Sequence, residues 1–160
     1  TGLRTSAEVK VVNNPANTFP PQDNMTGLWS GQYEVDLCSK VSGPGPDACR
    51  FSFGSRLPIQ IQLTQTNTIL SGQVTIYSIV TGLVSGWRDS GGFFVLFGKL
   101  TGQDESAGTL NAEITKWDAR AITPANEMSG SFEMIERFGS PQSLQVYRRG
   151  GTFLNVRRGS

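Results

Sequence analysis

From Leu28 to the C-terminus, apolar and polar residues alternate in short runs, and a glycine recurs in phase with the apolar positions. The clearest copies are Trp29-Ser30-Gly31-Gln32-Tyr33, Leu70-Ser71-Gly72-Gln73-Val74, Val84-Ser85-Gly86-Trp87 and Met128-Ser129-Gly130-Ser131-Phe132. Period two is the period of a strand with one face on a core and the other in water. The first run places Trp29, Gly31, Tyr33, Val35 and Leu37 on one face and Ser30, Gln32, Glu34 and Asp36 on the other. Leu57, Ile59, Ile61 and Leu63 then alternate with polar residues, and Thr66-Asn67-Thr68 turns the chain into Leu70, Gly72, Val74 and Ile76, the pattern of a hairpin. Further runs at 82–88, 92–100, 108–117, 127–136 and 143–157 are split by turn-forming residues.

Short strands in even sequence, with no helical period between them, predict an all-β fold: an antiparallel up-and-down β-barrel. It has eight strands if Gly150-Gly151 is a bulge and nine if that pair is a hairpin turn. Glycines on the inward phase serve as the points where strands bend to close the barrel. Residues 1–26 carry Pro15, Pro20, Pro21 and several asparagines, and read as an extended N-terminal arm ahead of a barrel domain spanning 27–160. Within the arm, Glu8-Val9-Lys10-Val11-Val12 has the pattern of an edge strand.

The inward phase is almost wholly apolar. Trp29, Tyr33, Ile59, Ile61, Val74, Ile76, Phe132 and Met134 are the candidate lining, so a molecule held there must be apolar, with Trp29 and Tyr33 offering the polar tips. The ionisable exceptions are Lys116, the strand-end Glu136, and Arg88 or Arg148. A barrel of eight strands is filled by its own side chains or holds one small molecule, and both readings stay open. Strand 92–100 is apolar on both faces. With Gly86 and Gly98 facing inward, Leu83, Trp87, Phe93, Val95 and Phe97 share the outside, a patch that monomers seldom leave uncovered. The arm, through Val9, Val11, Val12 or Phe19, covers it, or another protein chain or a second copy does.

Charge narrows the function. Lys+Arg 14 against Asp+Glu 13 leaves a net charge of +1, with no field to gather nucleic acid. After Glu136 there is no acidic residue, while Arg137, Arg148, Arg149, Arg157 and Arg158 follow; these read as solvated strand-end arginines. The absence of histidine excludes a Ser-His-Asp or Cys-His arrangement. Glu34, Asp36, Glu113 and Glu133 lie on the outward phase, so no carboxylate pair converges for acid and base work. No enzyme, cofactor or metal is expected, since Asp104-Glu105 supplies too few oxygen ligands for calcium.

Cys38 and Cys49 flank a loop whose glycines and prolines bar regular structure. A disulfide between them would stabilise by roughly 3 kcal/mol and would place the protein in an oxidising compartment: periplasmic, cell-surface or secreted. Two free core cysteines are the alternative. No run is long enough for a membrane helix. A start at Thr1 suits a mature exported protein or a lipoprotein, so membrane contact is expected only through an upstream lipid anchor.

Gly27-Leu28-Trp29 resembles the Gly-x-Trp entry of lipocalins, and Met25-Thr26-Gly27-Leu28-Trp29 is similar to the entry of avidins. Both families are calycin barrels. The resemblance implies that architecture over about residues 25–158, with Arg157 matching the lipocalin arginine that packs over the tryptophan, and does not extend to ligand identity. The expected function is a non-enzymatic extracytoplasmic barrel acting as a structural or accessory subunit through its outer apolar face and arm. The alternative is a lipocalin-like carrier of a small apolar ligand inside the barrel.

Overall fold

The computed structural model describes residues 24–105 and 108–159. The arm before Asn24, with the edge strand read at 8–12 and the covering residues Val9, Val11, Val12 and Phe19, lies outside them. Eight strands run in order: β1 (Gly27–Ser42), β2 (Arg56–Thr66), β3 (Ile69–Ile76), β4 (Val80–Arg88), β5 (Phe93–Asp104), β6 (Gly108–Ile122), β7 (Glu127–Phe138) and β8 (Gln145–Arg158). Each pairs antiparallel with the next, and β8 pairs with β1, so the sheet closes into an up-and-down barrel. Closure removes both sheet edges, and with them the unpaired backbone groups an open sheet would present.

Gly150-Gly151 is neither a turn nor a bulged pair. The strand continues through both residues, and the extra residue stands opposite, where Asp36 on β1 is inserted between the Val35/Gly151 and Leu37/Gly150 pairs. Four such insertions, at Asp36 and Val41 on β1, Thr115 on β6 and Asn155 on β8, rewrite the simple alternation, because one extra residue flips every side chain beyond it. After Asp36, Cys38 rather than Leu37 turns inward, and Leu37 is only half-buried. After Thr115 on β6, Trp117 turns inward and Lys116, expected inside, stands in water. Asn155 on β8 is held in the left-handed region at φ 51°, and from there Val156 and Arg158 take the inward positions.

The core is a stack of large side chains along the axis. Trp29, Tyr33, Ile59, Ile61, Leu63, Leu70 and Ile76 are essentially inaccessible. In the middle, Trp117 packs against Phe94, Phe132 and Phe153 at ring separations of 5.2–6.0 Å, and Tyr33 meets Phe132 edge-on at 4.9 Å. Such aromatic contacts add to the area they bury. Two inward glycines show why the phased glycines are needed. A Cβ on Gly86 would stand 1.8 Å from the Val95 carbonyl, and one on Gly72 would stand 1.9 Å from that of Gln62, so the coiled strands approach too closely there for any side chain.

One end of the barrel is plugged by residues that follow and precede the strands. Met25, expected in the arm, is fully buried; its N–H donates to Gln65 Oε1 and its carbonyl accepts the Trp29 indole N–H, both at 2.9 Å. The guanidinium of Arg158 lies 4.9 Å over the Trp29 ring and donates to the carbonyls of Asn24, Thr26 and Thr123 and to Asn126 Oδ1. Arg158 therefore holds the place expected of Arg157, which the Asn155 bulge turns outward to pair with Glu127 at 2.8 Å. At the other end, Cys38 and Cys49 form a disulfide that closes the Gly/Pro loop over the barrel mouth.

Candidate functional site

The eight residues expected to line the interior (Trp29, Tyr33, Ile59, Ile61, Val74, Ile76, Phe132 and Met134) all point inward and are buried. They pack on one another and on Trp117 and Phe153. The expectation of an almost wholly apolar interior is corrected at the mouth. Glu136 on β7 is fully buried, and its carboxylate accepts from the Tyr77 hydroxyl at 2.5 Å and from Arg149 Nη1 at 3.0 Å. Arg149, not Arg148, is the arginine that β8 turns inward at this end. Arg148 points out to Glu133 at 2.8 Å, and Arg88 is buried at the opposite end of the barrel.

Tyr77 reaches this cluster from the three-residue turn between β3 and β4, where Tyr77 and Ser78 sit at φ 55° and 64°. Glycine or asparagine normally fills such positions, and a bulky residue there costs on the order of 1–3 kcal/mol. The bond to the buried carboxylate offsets that strain. The Tyr33 hydroxyl, 1% exposed, and Arg149 Nε have no hydrogen-bond partner of good geometry. A cavity of about 230 Å³ opens above, with Val35, Leu57 and Phe51 as apolar walls, Tyr77 and Arg149 as its polar floor, and Ser52 at the rim.

Burial, then the neighbouring Tyr77 and Glu136, hold the Tyr33 phenol well above its ordinary value; burial and Glu136 do the same for Tyr77. Desolvation opposes the charge on Arg149, but Glu136 and Tyr77 outweigh it and raise its pKa. In the unfolded chain both phenols ionise near pH 10. A raised folded value gives a stability contribution that is complete below that pH and is lost as pH rises above it. Denaturant melts should show the barrel losing up to about 1.4 kcal/mol per pH unit for each of the two phenols above pH 10. Tyr33→Phe should lose less than wild type over pH 10–11; parallel losses would show that the phenol is hydrated.

On the outside, Leu83, Trp87, Phe93 and Phe97 are 78%, 56%, 57% and 41% exposed, and Val95 between them is half-buried. Ile69, paired with Trp87 across β3 and β4, extends the patch at 58%. Trp87 pairs with Val95 across β4 and β5, and its ring lies 6.2 Å from Phe97. A groove of about 480 Å³ runs from Trp87 past Phe93 and Val95 to Asp118, Arg120 and Ser129. It lies beside the stretch where β5 and β6 change register, between the Phe94/Ala119 and Lys99/Glu113 pairs. The Arg120 guanidinium stands 5.4 Å over the Phe93 ring. Elsewhere the barrel wall is more polar, with Ser30, Gln32, Gln60, Gln62 and Thr64 exposed on β1 and β2, and its exposed apolar residues are Leu28 and Val41 on β1 and Ile122 on β6.

Among the described residues no three histidine, cysteine, aspartate or glutamate side chains come together as a metal site. Sequence reasoning found Glu136 as an exception to the inward phase but missed Arg149 and Tyr77. Arg149 was one residue from the arginine considered, on the far side of a bulge that hydropathy does not mark. Tyr77 sat in a turn, where period-two reasoning assigns no face. No family model, curated protein or solved structure matches the chain.

Proposed function

We propose that the protein is a non-enzymatic barrel of an extracytoplasmic compartment that works as a structural or accessory subunit, docking another protein chain on the outer face of β3, β4 and β5. The observation that carries this reading is the contiguous exposed set Ile69, Leu83, Trp87, Phe93 and Phe97 on β3, β4 and β5, where the other exposed apolar strand residues, Leu28, Val41 and Ile122, lie on β1 and β6. Its composition suits a protein partner, because tryptophan, phenylalanine and arginine concentrate at the energetic centres of protein interfaces. The groove beside Trp87 provides a pocket for a partner's anchor side chain. The Cys38–Cys49 disulfide supports an oxidising compartment. The aromatic stack around Trp117 fills the middle of the axis, which favours the outer face over a ligand carried inside.

Native mass spectrometry of the full chain, of Trp87→Ser, of Val95→Asp and of a form lacking residues 1–23 tests the reading. Assembly that survives truncation and fails in both face variants is the expected result. If truncation alone uncovers Trp87 to acrylamide quenching, the arm is the cover and no partner docks there. A full-length monomer with Trp87 freely quenched at every concentration would overturn the proposal.

A further inference from the structure

The barrel mouth is built at odds with a mere plug. Burying an ion pair opposes folding unless geometry repays the lost hydration, and well-packed apolar residues close a barrel end at least as well. Here the fully buried Glu136 is paired with Arg149, whose side chain is 18% exposed, and Tyr77 adopts a left-handed backbone to join them. The hydrogen-bond inventory is also unbalanced. Both Glu136 oxygens already accept, from Arg149 Nη1 and from the Tyr77 hydroxyl, while Arg149 Nε is a buried donor without an acceptor and the Tyr33 hydroxyl has only the Tyr77 hydroxyl beside it. Unpartnered buried donors are rare in native proteins and call for an explanation. The missing group is an acceptor.

Two further features define the molecule that would bring it. Arg149 is already balanced by Glu136 at 3.0 Å, so a second anion at the mouth would face the buried carboxylate. The cavity walls are Val35, Leu57 and Phe51, and Phe51, at the end of the short 3-10 turn Cys49–Phe51 that follows the disulfide-closed loop, is 73% exposed, a large aromatic left at the rim. We propose that this mouth binds a small, neutral, largely apolar molecule carrying one acceptor oxygen, its oxygen directed to Arg149 and its body against Phe51 and Leu57. The site shares no residue with the outer face, and the two proposals stand or fall separately.

Three probes of similar size separate the chemistry: acetophenone, neutral with a carbonyl; ethylbenzene, without an acceptor; and benzoate, charged. Each is titrated into the ¹⁵N-labelled full chain, following backbone amides and the Arg149 Nε–H resonance. Acetophenone should bind saturably, shifting Phe51, Ser52, Tyr77 and Arg149 Nε–H, and should bind at least about tenfold more tightly than either other probe. Phe51→Ala should weaken it several-fold with an unchanged melting temperature, since that ring is mostly in water. Equal binding of ethylbenzene would reduce the site to a greasy hole, and tighter binding of benzoate would overturn the charge argument. Shifts confined to the outer groove, the absence of saturable binding, or unweakened binding in Phe51→Ala would each overturn the site.

Discussion

Glu136→Ala is expected to destabilise the barrel by about 3–5 kcal/mol, the range for removing one partner of a buried ion pair. The carboxylate is inaccessible, and without it the guanidinium of Arg149 and the hydroxyl of Tyr77 keep their burial and lose their acceptor. Tyr77 would also keep its left-handed backbone with nothing to offset it. Equilibrium urea denaturation measures the loss. The paired replacement Glu136→Leu with Arg149→Met removes both charges together and should recover most of it, as apolar substitution of a whole buried pair usually does. A loss under about 1 kcal/mol in the single variant would mean that water reaches the carboxylate and that the pair is not the keystone of the mouth.

At the opposite end, Trp29→Ala should cost about 3–5 kcal/mol, the range for a large buried aromatic reduced to a methyl group. Trp29 is fully buried, ties Met25 to β1 through its indole N–H, and carries the Arg158 guanidinium on its ring. The loss of Trp29 and the loss of Arg158 should therefore be less than additive in a double-mutant cycle. Arg157→Ala, which breaks only the exposed pair with Glu127, should stay within about 0.5 kcal/mol. Additive effects of Trp29→Ala and Arg158→Ala would show that the stacked pair acts as two independent groups.

The architecture was legible in the residue pattern alone. Period-two alternation, turn residues between runs and glycines in phase with the apolar face are local signals, and they sufficed for an antiparallel up-and-down barrel of eight or nine strands, of which the structure has eight. They also placed Trp29, Tyr33, Ile59, Phe132 and Met134 inside and Leu83, Trp87, Phe93 and Phe97 outside, because each of these lies on a stretch of strand with no inserted residue before it changes face. The tertiary structure decided everything beyond a bulge. An inserted residue at Asp36, Thr115 or Asn155 carries no hydrophobic signature, since it exists only as a mismatch with the neighbouring strand, yet it exchanges Lys116 for Trp117 and Arg157 for Arg158. Closure decided the mouth as well. Tyr33, Tyr77, Glu136 and Arg149 are spread over more than a hundred residues, and the joining of β8 to β1 brings their polar atoms together around the buried carboxylate.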